Sequence, residues 1–126
     1  MRRFLIAAPL AVLASLALAS GASAKPMTTT CTASSPNVIG KTITGTLYAT
    51  NVDPSQARFA TCAQAKKVMV KTTEIRVEEP RITAAFRCTP TVKSTNPDVV
   101  AYKCVFKGAD TATFIKLTFQ VKYDQD

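Results

Sequence analysis

Four cysteines in so short a chain leave few ways to fold. Cys31, Cys62, Cys88 and Cys104 are scattered with no two closer than 16 positions, and the chain has no histidine. A zinc site therefore lacks both the C-x-x-C pairs and the imidazoles it ordinarily uses, and no metal ligand set or cofactor site is expected. An even cysteine count in a small exported domain points instead to two disulfides, with reduced buried thiols as the plain alternative.

Export is argued from the first residues. Met1-Arg2-Arg3, the apolar run Phe4 to Ala19 and the small-residue site Ala22-Ser23-Ala24 have the three parts of a secretory signal peptide. Residues 1–24 are assigned to it, with cleavage after Ala24. The run is interrupted by Pro9, is short for a membrane span of ~20 residues and has no stop-transfer pattern, so no transmembrane anchor is expected after cleavage. The expected location is secreted, extracellular or in the cell envelope. Lys25 to Asp126 then forms the mature chain, enough for one domain and too little for two.

Hydrophobic periodicity divides that domain. Residues 25–40 are rich in Thr, Ser and Pro without sustained alternation, and are expected to be a flexible arm. In Lys41 to Asn51, Ile43, Gly45, Leu47 and Ala49 alternate with Thr42, Thr44, Thr46 and Tyr48, which predicts a first strand. Asp53 as N-cap and Pro54 at the first turn open a helix whose apolar stripe carries Phe59, Cys62 and Met69. Thr72 to Glu79 is compatible with a frayed helix end or an extra strand before Pro80. Three strands follow: Ala84 to Cys88, Val100 to Phe106 and Ala112 to Tyr123, with Gly108 marking a turn before the last. The expected fold class is α+β for residues 41–126: an N-terminal strand, one helix, then a three-stranded antiparallel meander (β-α-β-β-β), with the helix on one sheet face and disulfides as staples.

Four cysteines allow three pairings. A turn centred on Thr95 to Asp98 sets Cys88 opposite Cys104 and Phe86 opposite Phe106 on the inward face. Closing that loop of about 17 residues stabilises by ~3 kcal/mol in the chain-entropy model. Cys62, on the buried helix stripe, could also reach either strand. Cys88 with Cys104 and Cys31 with Cys62 is the favoured arrangement, and the other two remain open. In all three the cysteines are structural, because a redox thiol needs exposure and a low pKa.

A cysteine in the helix, Cys62-Ala63-Gln64-Ala65, an aromatic-x-Cys element, Phe86-Arg87-Cys88, and a second strand cysteine, Tyr102-Lys103-Cys104, resemble the pattern of small exported cysteine-containing bacterial proteins of unknown function. The resemblance covers about half of the mature chain. It implies a stapled exported domain and brings no activity with it.

The catalytic inventory is thin. Without histidine there is no ordinary triad or imidazole base, and Ser34, Ser35, Ser55 and Ser94 look like loop or cap positions. Glu78-Glu79 lies on a polar segment beside Pro80, and Gly40, Gly45 and Gly108 form no phosphate loop. No catalytic residue emerges.

Charge gives more. The 16 Lys and Arg, less Arg2 and Arg3, leave 14 against 8 Asp and Glu, a net of +6 for the mature chain. Strand parity sends Arg87, Lys103, Lys116 and Lys122 outward with Phe114 among them, a possible binding surface beside the loop Pro90 to Asp98. Lysine and threonine are also ordinary choices for the wet face of a sheet. Three readings follow. The first is an exported non-enzymatic binding module, an inhibitor or ligand of an acidic protein, with no specific nucleic-acid partner. The second is a general cationic envelope protein held by anionic wall polymers. The third is an enzyme with an unconventional site.

Overall fold

A computed structural model describes residues 26–108 and 112–124. The signal-peptide assignment lies outside them. The backbone is built around one six-stranded antiparallel sheet in the order β1-β2-β6-β5-β4-β3. The strands are β1 (Met27–Ser34), β2 (Thr42–Thr50), β3 (Arg81–Thr83), β4 (Phe86–Thr95), β5 (Asp98–Lys107) and β6 (Phe114–Lys122). A 3-10 helix (Pro54–Ala60) and α1 (Cys62–Glu74) carry the chain across from β2 to β3 at the far edge. From there a meander returns strand by strand until β6 pairs with β2 and joins the two halves.

This corrects the expected β-α-β-β-β arrangement. The meander is longer than three strands, and the N-terminal strand is not alone. β1 forms inside the stretch expected as an arm, pairing continuously with β2 from Met27↔Ala49 to Ser34↔Thr42. Its inward positions are only half covered, with Met27 and Thr29 exposed and Cys31 and Ala33 buried, so it has no run of apolar alternation to betray it. β3 pairs with β4 through the two-residue turn Ala84-Ala85, both with positive φ, at 48° and 76°. A turn of that shape ordinarily announces itself with Asn or Gly, and alanine gives no such sign. β4 in turn runs on through residues expected as a loop, ending at Thr95 with a bulge between Val92 and Ser94.

The expected single helix is two. Asp53 does cap the first turn, its carboxylate accepting from the Ser55 amide at 2.9 Å, but that turn is 3-10. Thr61 then takes an extended conformation and caps α1, accepting from the Gln64 amide at 3.2 Å. After Glu74 the chain leaves the helix as a loop, and no strand forms at Thr73 to Val77.

The middle of one sheet face is dry. Leu47, Ala49, Phe86, Ile115 and Leu117 are fully buried under Ala65, Val68 and Met69 of α1. Each large side chain removed from water contributes ~1.5–3 kcal/mol, and this layer is the main source of stability. Gly45 lets the helix come close: a Cβ there would meet Met69 Sδ at 3.0 Å and the Thr118 carbonyl at 3.2 Å. Disulfides Cys31–Cys62 and Cys88–Cys104 tie β1 to the helix and β4 to β5. Two disulfides are typical of proteins that work outside the reducing cytosol.

Candidate functional site

With α1 on one side, the other face of the sheet is open to solvent. Registers across the strands resolve it into rows. One row reads Thr28, Tyr48, Lys116, Val105, Arg87 and Ile82 from β1 to β3. The next reads Thr30, Thr46, Thr118, Lys103 and Thr89. Beyond it lie Thr32 opposite Thr44, Ala101 opposite Gln120, and Thr91 opposite Ala101. Thr44, Thr46, Thr91, Thr118, Gln120 and Lys103 line a shallow trough of about 450 Å3 there.

Cations gather at one end of this face. Lys116 sits between Tyr48 and Val105, its ammonium 5.8 Å from the Tyr48 ring centre, and Phe114 meets the same ring edge-on at 6.3 Å. Lys107 lies opposite Phe114. Arg87 lies on the far side of Val105, and Lys103 is one row over. No outward strand position among the described residues carries a carboxylate. Among the described residues the strand side chains of this face therefore give a positive field that none of them cancels, with aromatic surface beside it.

Arg87, Lys103, Lys116 and Phe114 are thus neighbours. Lys122 shares the face but sits opposite Val99, about 20 Å along β6 from Lys116 at ~3.4 Å per residue. The segment Pro90 to Asp98 is hairpin, with only Asn96 and Pro97 left as the turn. Tyr48, Lys107 and the threonine rows were not among the expected site residues. The outward parity of Tyr48 is readable in β2, but its placement beside Lys116 depends on β6 inserting next to β2.

A second concavity, of about 300 Å3, lies on the inner side where α1 stops short of the β4–β5 hairpin. Four of its polar side chains, Arg76, Asp98, Tyr102 and Tyr123, are engaged in local contacts. Arg76 donates to Asp98 at 2.8 Å and lies 4.4 Å over the Tyr123 ring. Tyr102 gives its proton to the Val77 carbonyl at 2.8 Å, so the 2.7 Å contact between the two phenols is Tyr123 donating to Tyr102. Burial pushes both phenols up, and their shared hydrogen bond raises Tyr102 further. These are the marks of a satisfied structural network. All four cysteines are in disulfides, and no group of three His, Cys, Asp or Glu among the described residues could hold a metal.

Comparison with protein-family models, with curated proteins and with solved structures finds no match.

Proposed function

We propose that this chain is an exported bacterial, non-enzymatic binding module that holds an acidic macromolecule against the outer face of its sheet. The observation that carries this reading is the cluster Arg87, Lys103, Lys107 and Lys116 beside Tyr48 and Phe114, on a face whose described strand positions hold no carboxylate. A rigid, cross-linked scaffold supports it, because side chains held on paired strands lose less entropy on binding than side chains on a loop. Exposed cation contacts are individually weak, so affinity comes from several acting together and falls as salt screens them.

The test is retention on immobilised polyanions, comparing the native chain with the triple reversal Arg87→Glu, Lys103→Glu and Lys116→Glu. Retention of the native chain at low salt, lost on moderate salt and weakened at least about tenfold by the reversal, is expected. Equal retention of both proteins removes the surface assignment. The second reading, a general cationic envelope protein with no preferred face, draws on Lys66, Lys67 and Lys71, which are exposed along α1. Reversing those three lysines would then weaken retention as much as reversing the sheet cluster.

A further inference from the structure

We infer that the acidic partner is an extended polyuronate chain crossing β6, β5 and β4, with one carboxylate per sugar ring meeting Lys116, Lys103 and Arg87 in turn. This rests on the outer face being the binding surface and says which anion fits it. The three cations come from three consecutive strands, one each, so they advance by one strand spacing of about 4.8 Å at a time. That step is close to the advance per ring of an extended glycan. They also alternate between adjacent rows: Lys116 and Arg87 flank Val105 in one, and Lys103 lies in the next. In an extended 1,4-linked uronate ribbon successive rings are turned over, and their carboxylates alternate between the two sides in the same way.

What surrounds the cations favours sugar over acidic polypeptide. Lys103 stands in a row whose other members, Thr30, Thr46, Thr118 and Thr89, are all threonine. A hydroxyl donates and accepts at once, which is what a sugar hydroxyl needs from its partner, whereas a carboxylate uses only the donor. The adjoining trough continues this chemistry with Thr44, Thr91 and the Gln120 amide. Tyr48, half-buried beside Lys116, offers a ring face against which the C–H side of a pyranose can pack.

The experiment is calorimetric titration at low salt of the native chain with three probes of equal length: a β-1,4-linked mannuronate hexamer, a neutral β-1,4-linked mannose hexamer and a glutamate hexamer. The mannuronate hexamer should bind at least about tenfold more tightly than either of the others. The double variant Thr46→Val, Thr118→Val keeps β-branched shape and strand preference while removing two hydroxyls. It should lose about tenfold in mannuronate affinity with glutamate binding unchanged. Lys103→Gln should weaken both anions. Equal binding of mannuronate and glutamate, with no effect of the threonine variant, overturns the glycan assignment and leaves the basic-face reading standing. Mannose binding as tight as mannuronate overturns it too. If neither anion binds and the triple charge reversal leaves polyanion retention unchanged, the basic-face reading falls with it.

Discussion

Tyr102→Phe tests the inner network most directly, because it deletes one oxygen that serves two partners. The hydroxyl donates to the Val77 carbonyl at 2.8 Å and accepts from Tyr123 at 2.7 Å. Without it a carbonyl and a phenol are left without those partners at a site where Tyr102, Tyr123 and Val77 are all buried. An orphaned buried group costs ~1–3 kcal/mol, so the variant should be destabilised by ~2–4 kcal/mol, a large share of the ~5–15 kcal/mol a domain of this kind has. The same pair sets the alkaline limit. Burial raises both phenols above the ordinary tyrosine value of 10.0. Below about pH 10 folded and unfolded chains both keep these protons, and the pair adds no pH dependence. Above it the unfolded chain releases protons that the folded one retains, and stability falls by up to ~1.4 kcal/mol per pH unit for each phenol. Two phenols give up to ~2.7 kcal/mol per unit, and Tyr102→Phe should halve that slope. Urea unfolding followed by circular dichroism at pH 8, 10 and 11 reads both effects. A variant as stable as the native chain at pH 8, or one with the native alkaline slope, would refute the shared network.

Removing Cys31–Cys62 frees a larger loop than removing Cys88–Cys104, with sequence separations of 31 and 16. Paired Cys→Ala variants should therefore lose ~3.7 and ~3.1 kcal/mol by chain entropy, read from urea midpoints, with the β1–helix staple the costlier. Gly45→Ala should cost ~1–3 kcal/mol, because the added carbon meets Met69 and a backbone carbonyl that cannot move aside; thermal melts check this. Ala85→Gly should stabilise by ~0.5–1 kcal/mol, since φ of 76° suits glycine and strains alanine, and a fall in melting temperature would contradict the positive-φ turn.

The basic outer face was half legible in the residues. Alternation in β5 and β6 is regular enough that Lys103 and Lys116 could be sent outward and Tyr102, Cys104 and Leu117 inward without coordinates. Cys88 was also expected opposite Cys104, but the turn at Asn96 and Pro97 would by itself set it opposite Val105. It is the bulge between Val92 and Ser94 that shifts the register by one and brings the two cysteines together. The neighbours of those lysines were not legible. Nothing local says that β6 lies between β2 and β5, so Tyr48 and Thr46 could not be set beside Lys116 and Thr118. β1 was hidden for a related reason. It is an edge strand held by backbone pairing and by Cys31, with too few covered positions to show a pattern.

By itself the sequence determined what depends on neighbours along the chain: strand parity, the capping of the helical turns at Asp53, the even cysteine count and the surplus of cations. These follow from periods of two and from side chains reaching two or three residues away. Only the tertiary structure decided the strand order, the extra strands at both edges, and with them the adjacent rows in which Arg87 and Lys116 flank Val105 and Lys103 stands among threonines. Strand order is a choice among distant pairings, fixed by the closing of one core under α1, and no short stretch of the chain contains it.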